Sequence, residues 1–290
     1  MPNAISGPAS SADIAAVRAF WDSRPCNIRH SPSPPGTRQY FDEVEARKYA
    51  VEPHIPHFAQ FERWRGKRVL EVGCGIGTDS INFARAGAQL TAVDLSEESL
   101  KVCRSRFAIF ELEAEIKQAD AERLSDYVEA QPYDLIYSFG VIHHTPNPAN
   151  VVSELLKFCG PTTELRIMLY SKWSWKGIWI TLTEGKGAFW RARDLTRRHA
   201  EAQLDCPVAY TYNSREVRDL LRGFEVQRIW KEHIFPYRIS DYVQHRYRRE
   251  WYFRWMPRSV FRWLEHRLGW HTLIVAKPSR NQAAPIEAAG

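Results

Sequence analysis

Between Lys67 and Tyr170, short β-branched and apolar runs alternate with stretches whose apolar residues recur at helical spacing. That alternation is the signature of βαβ units around a parallel sheet. It predicts strands over 68–72, 90–93, 115–118, 133–138 and 164–169. Helices are predicted between them: 78–86, stopped by Gly87; 96–110, opening on an N-cap serine with Glu97 and Glu98 in its first turn; and 150–158, stopped by Gly160-Pro161. Two further strands, 224–231 and 271–276, follow aromatic-rich stretches, and seven strands fit one doubly wound α/β sheet. Upstream, Ile14, Val17, Phe20 and Trp21 mark a helix over 13–22, the run from Ser31 to Gly36 breaks the chain, and a second helical stretch over 40–49 stops near Pro53 and Pro56. The chain therefore divides into an N-terminal helical segment, 1–66, placed to act as a lid, and a sheet-bearing domain, 67–277. That domain carries inserts at about 171–223 and 232–269, and a tail over 278–290 is predicted to fray, like the first fifteen residues.

With 44% apolar and 26% charged side chains among 290 residues, the chain can bury a full core and is not of the disordered class. Its longest apolar stretches, 177–180 and 272–276, fall far short of the ~18–20 residues a bilayer crossing needs. The first ten residues have neither a basic start nor an apolar core, which argues against a secretory signal and predicts a cytoplasmic protein. Cys26, Cys74, Cys103, Cys159 and Cys206 are scattered and never form a C-x-x-C pair, so reduced thiols are expected, with neither a disulfide framework nor a metal site. The net charge of +6 concentrates late: eight arginines lie between Arg238 and Arg267, among aromatics such as Trp251, Trp255 and Trp263. Such a mixture fits nucleic acid or an anionic surface, or else amphipathic helices whose aromatics pack inward.

The chemistry concentrates where the first predicted strand ends, in Glu71-Val-Gly73-Cys74-Gly75-Ile-Gly77-Thr78. Glycines there let the backbone turn tightly and let a ligand approach amides that no Cβ obstructs. The spacing is G-x-G-x-G, and Thr78 stands where a dinucleotide fingerprint wants its third small residue, which counts against a dehydrogenase. Twenty-one residues after Gly73, Asp94 closes the second strand ahead of Leu95, where an acid can accept hydrogen bonds from both hydroxyls of a ribose. Asp120-Ala121-Glu122 follows the third strand, where an adenine edge could be read, and Ser138-Phe139-Gly-Val-Ile-His143-His144 follows the fourth. All four stretches lie at carboxyl ends of strands, where open α/β sheets bind ligands.

This ordered set resembles the class I S-adenosylmethionine-dependent methyltransferases, in particular their small-molecule, ubiquinone-methylase-like branch, over roughly residues 41–277. The resemblance implies a Rossmann-like seven-stranded sheet whose last strand is antiparallel. It implies that the glycine loop, Cys74 included, lies against the methionine portion of S-adenosylmethionine, that Asp94 and Leu95 flank the ribose, and that Asp120 and Ala121 meet the adenine. The backbone at Ser138 and Phe139 would contact the methionine amino group, and Glu71 would help hold that end through water. The product would be S-adenosylhomocysteine and the inserts would choose the acceptor.

Methyl transfer from a sulfonium is an in-line displacement that needs alignment and exclusion of water, and a general base only where the acceptor must lose a proton. His143 and His144 stand beyond the fourth strand as the candidate bases. Tyr49, His54, Tyr170, Trp173, Tyr237 and Arg238 are the candidate acceptor contacts, from the lid and the two inserts. Cys26 lies ahead of the fold and lacks a second catalytic cysteine, so it is not expected to act as a nucleophile. A small-molecule acceptor is the leading expectation, with a thiol or an aromatic or apolar compound favoured and nucleic acid disfavoured. The alternatives are an RNA or protein methyltransferase using the basic aromatic segment 238–267, and a non-catalytic nucleotide-binding or membrane-surface module.

Overall fold

The computed structural model describes residues 11–183, 206–242 and 244–279. The strands are β1 (Arg68–Val72), β2 (Gln89–Asp94), β3 (Glu115–Gln118), β4 (Tyr133–Phe139), β5 (Cys159–Tyr170), β6 (Phe224–Glu232) and β7 (His271–Pro278). They form one sheet in the order β3-β2-β1-β4-β5-β7-β6. The first five run parallel, and β7 pairs antiparallel with both β5 and β6. The chain winds outward through β1, β2 and β3, then crosses to β4 on the other side of β1. That reversal opens a crevice at the carboxyl ends of β1 and β4.

Alternating residues of the strands feed two cores. Val69, Leu135, Tyr137, Met168 and Leu273 pack on one face with Phe58, Trp64 and Phe83. Leu70, Val72, Ile136, Leu165, Ile167 and Ile274 pack on the other with Val151, Val152 and Leu155. Those last three belong to α6 (Pro148–Leu156), whose buried stripe contributes roughly 6 kcal/mol at ~2 kcal/mol per side chain. A charge at Val151 would undo it.

Ahead of the sheet lie α1 (Ser11–Ser23), α2 (Arg38–Val51) and α3 (His54–Ala59); α4 (Ser80–Arg85) and α5 (Glu97–Phe110) complete the first two crossovers. Ser96 caps α5 by accepting from the Ser99 amide at 3.1 Å. The helix α3 was not expected, because Pro53 and Pro56 read as breakers. Pro53 is instead its N-cap, and Pro56 sits in the first turn, where amides have no intrahelical acceptor to lose. The Gly160-Pro161 pair does not close a helix either. It lies inside β5, which starts at Cys159; there the Gly160 amide donates to Thr163 Oγ1 at 2.7 Å and Thr163 Oγ1 donates to the Tyr133 carbonyl at 2.5 Å, beside a register shift in the β4–β5 ladder.

After β5 comes α7 (Trp175–Thr183); part of the first insert and most of both predicted frayed ends lie outside the described residues. The second insert folds into short helices at Ile239–Tyr242, Trp251–Arg254 and Arg258–Leu268. It divides its aromatics: Phe253 is buried, while Trp251, Trp255 and Trp263 face outward. Among the described residues no helix is long and apolar enough to cross a membrane.

Candidate active site

The loop after β1 is shaped by three glycines with left-handed backbones, at φ +83° (Gly73), +54° (Gly75) and +75° (Gly77). Their reasons differ. A Cβ on Gly73 would lie 2.0 Å from Val141 Cγ2 and one on Gly77 would lie 2.5 Å from Cys103 Sγ, so these two let the loop press against β4's exit and α5. A Cβ on Gly75 would meet nothing within 4 Å, because that residue faces the crevice. The amides of Gly73 and Cys74 donate to the Val93 carbonyl at 2.7 and 3.0 Å, tying the loop to β2.

A cavity of about 290 Å³ opens over this loop, close to the lower bound of ~300–1,000 Å³ for ligand pockets. Gly73, Cys74, Gly75, Asp94, Leu95, Asp120, Ala121 and Phe139 all line it, so eight of the expected cofactor contacts meet in one place. Asp94 is half-buried at the cavity wall: its Oδ2 accepts from the Gly75 amide and its Oδ1 from the Ser96 amide, each at 2.8 Å. Burial raises its pKa, and the two amides oppose the shift. A carboxylate has about four lone-pair sites, so Asp94 keeps room for two hydroxyl donors while pinning the loop. Asp120 caps the following turn through its Oδ1, which accepts from the Glu122 amide at 2.9 Å.

Three expected cofactor contacts lie elsewhere. Gly77 packs behind the loop, and Ser138 is fully buried, donating its hydroxyl to the Val72 carbonyl at 2.9 Å. Glu71 lies beneath the loop, because the strand pleat turns it away from the crevice. Burial and the neighbouring charge of Asp79 push its carboxyl up to about 8. Asp79 itself is held by Lys48 Nζ at 2.8 Å, Tyr49 Oη at 3.0 Å and Tyr137 Oη at 2.9 Å. Tyr49 thus belongs to a buried polar network and does not line the cavity. Burial pulls the Lys48 ammonium down, but Asp79 and Glu52 outweigh it and raise its pKa.

The turn after β4 separates the two candidate bases. His143 is completely buried, off the cavity, with neither ring nitrogen hydrogen-bonded and its ring 3.8 Å from that of Tyr170. Burial and the neighbouring His144 drive its pKa well below the usual imidazole range. That is a packed core residue. His144 lines the cavity, and its Nδ1 lies 2.7 Å from the Val208 carbonyl, which can only accept, so Nδ1 carries a proton. Tyr170 also lines the cavity, between His143 and Trp270.

Trp173, Tyr237 and Arg238 do not reach it. Trp173 is 62% exposed, Tyr237 packs on Phe235 and Tyr247, and Arg238 is exposed 3.7 Å from Glu250. The inserts carry them outward, so topology alone misplaced them. His54 sits just behind the wall, its Nε2 3.0 Å from Nδ1 of His271, and only His271 of the pair lines the cavity.

Sequence reasoning missed several wall residues: Val17 and Trp21 of α1, Lys48 and Glu52 of α2 and its C-cap, Met168, and His271. The amphipathic pattern of α1 was the one signal for the first pair. Cys26 and Asn27 also line the cavity, although they precede the sheet by some forty residues; the loop after α1 folds back over the opening. A wider depression of about 820 Å³ lies among Arg68, Leu90, Phe107 and Tyr133, away from all of these groups.

Residues 69–162 match the methyltransferase-domain family, and the fold is the class I methyltransferase fold. Over 87 residues the chain is 40% identical to a ubiquinone biosynthesis O-methyltransferase of Bordetella bronchiseptica, a match covering 30% of this chain and 36% of the relative. A ubiquinone biosynthesis O-methyltransferase of Alkalilimnicola ehrlichii is 33% identical over 96 residues, 33% of this chain and 38% of that one. The chain thus matches little more than a third of the length of these curated relatives. Among solved structures, magnesium protoporphyrin IX methyltransferase from Synechocystis PCC 6803 with bound S-adenosylhomocysteine superposes with a TM-score of 0.57 at 16% identity, over 91% of this chain and 99% of that one.

Proposed function

We propose that this protein transfers a methyl group from S-adenosylmethionine to a small-molecule acceptor bound between α1, Tyr170 and His144. The observation that carries the reading is the cavity over Gly73 and Gly75, with Asp94 and Asp120 on its wall. The open space beside Gly75 is a cradle that a side chain would fill, and the two carboxylates suit the hydroxyl and amine donors of an adenosyl group. The methyltransferase-domain match over the same residues supports it.

Bound there, S-adenosylmethionine supplies an already activated methyl, whose sulfonium charge is discharged on transfer. The chain's own part is alignment and exclusion of water, effects that can supply on the order of 7–11 kcal/mol. The Gly73 to Gly75 loop and Asp94 hold the donor rigidly, since the carboxylate ties loop and strand together. Trp21, Met168 and Tyr170 supply apolar walls on the acceptor side. His144, which lines the cavity beside Tyr170, is the residue assigned to take a proton from an acceptor that must lose one. The O-methyltransferase names of the matched relatives make hydroxyl compounds the first class to test, ahead of thiols and amines. Incubation with radiolabelled donor and one compound of each class tests the reading: label in an organic product supports it, and donor binding without any labelled product from the three classes counts against it.

A further inference from the structure

Three histidines far apart in sequence meet beside the crevice. His54 opens α3, His233 directly follows β6 and His271 opens β7. One ring nitrogen of each lies within 4.8 Å of one from both others. The rings of His233 and His271 stack with centroids 4.5 Å apart, and His54 and His271 approach to 3.0 Å through Nε2 and Nδ1. Glu52 adds a carboxylate oxygen 3.6 Å from His271 Nδ1, and both residues line the cavity.

The backbone is bent to make this cluster. His233 has φ +71°, a left-handed conformation that non-glycine residues seldom adopt and that is stored mainly at functional sites. It is fixed from both sides: its amide donates to Glu265 Oε1 at 3.2 Å, and its carbonyl accepts from the Trp270 amide at 2.8 Å. Gly269 makes that approach possible, since a Cβ there would lie 2.4 Å from the Glu232 carbonyl oxygen. The nearby cations have their own partners. Arg262 pairs with Glu232 and Glu265, Lys48 pairs with Asp79, and Lys176 lies over the Trp270 ring.

We propose that His54, His233 and His271 bind one divalent cation of the zinc class. Three imidazoles without a thiolate select borderline ions such as Zn²⁺, Co²⁺ or Fe²⁺ over Mg²⁺ and Ca²⁺. Metal–nitrogen bonds of ~2.0–2.1 Å at a tetrahedral ion put ligand nitrogens about 3.3 Å apart, within reach of small ring rotations here. Three protein ligands leave a coordination position open, as catalytic sites of this kind do. With His271 on the cavity wall, the ion lies at the acceptor end and binds the acceptor's hydroxyl or thiol. That bound group gives its proton to the His144 imidazole on the same cavity wall, its lone pair forms the new bond to the methyl carbon, and the carbon–sulfur bond pair stays with sulfur. This role rests on the methyl-transfer reading, whereas ion binding itself does not.

Titration of the metal-free full-length chain with CoCl2, followed by its visible d–d absorption, tests the site. One equivalent is expected to give a saturating band of tetrahedral intensity that ZnCl2 abolishes. His54→Gln and His271→Gln are each expected to weaken Co²⁺ binding by at least ~100-fold, more than loss of an outer-shell partner usually does. Absence of the band in the wild-type chain, or both variants titrating like it, would overturn the proposal. Calorimetry of S-adenosylhomocysteine binding to the wild-type chain and to His54→Gln runs alongside. Binding of this product with no cobalt band removes the ion site alone, and a cobalt band with no product binding supports the ion site while removing the methyl-donor reading.

Discussion

At the end of the crevice floored by Gly73 and Gly75, the walls come from the carboxyl ends of neighbouring parallel strands, and the shape is set by backbone conformation. Elsewhere on the cavity wall, Trp21, His144, Tyr170 and His271 arrive from four separate regions, and the shape is set by side-chain packing. The first construction is local and strained, so one methyl group in the wrong place is felt at once. The second is spread over many contacts, so single substitutions there change chemistry more than structure.

Gly73→Ala presses hardest on that difference. Its methyl would collide with Val141 at a positive φ, and the expected loss is about 3 kcal/mol in urea unfolding, with donor affinity lost as well. A loss below about 1 kcal/mol would mean the loop is softer than described. Asp94→Asn comes next, with about 1–2 kcal/mol of stability and at least ~10-fold of S-adenosylhomocysteine affinity expected to go, because the carboxylate holds two amides as well as facing the cavity. Unchanged stability with weakened binding would assign Asp94 to the ligand alone.

Glu71 reports through pH. Its carboxyl is raised from 4.5 to about 8, so between these values the native state keeps a proton that the unfolded chain has released. The stabilisation is complete below pH 4.5 and fades as pH rises to about 8. Glu71→Gln is expected to flatten the pH dependence over that window by more than about 1 kcal/mol, read from urea midpoints at pH 5 and 8. Identical slopes for both proteins would contradict the buried, protonated carboxyl. Smallest of all is His143→Leu, expected within about 1 kcal/mol of wild type, since no hydrogen bond is lost from the buried ring. His144→Ala is its counterpart, expected to lower turnover while leaving donor affinity within a few-fold. Equal turnover losses in both would erase the distinction between the two histidines.

The same contrast explains what could be read from the sequence. The strand pattern and glycine spacing are short-range signals; they located the sheet and the loop, and the structure puts Asp94 and Asp120 on the cavity wall beside that loop. Boundaries slipped where a local rule was overridden: Pro53 and Pro56 fit the start of a helix, and Gly160-Pro161 fits a strand beginning irregularly against Tyr133. Glu71 and Ser138 were misplaced by the strand pleat, which turns alternate residues away from the crevice. His271 was missed because 217 residues separate it from its hydrogen-bond partner His54, and Cys26 because the loop after α1 folds back onto a cavity built some forty residues later; a single sequence carries no sign of either. Trp173, Tyr237 and Arg238 failed for the converse reason: they follow the right strands, but their inserts turn outward.

Calorimetric titration of S-adenosylhomocysteine into the full-length chain and into Asp94→Asn tests the crevice most directly. One binding site per chain, weakened at least ~10-fold by the substitution, is the expected result, a difference of about 1.4 kcal/mol or more. A folded wild-type chain that gives no binding heat, or an Asp94→Asn chain that binds just as tightly, would contradict it.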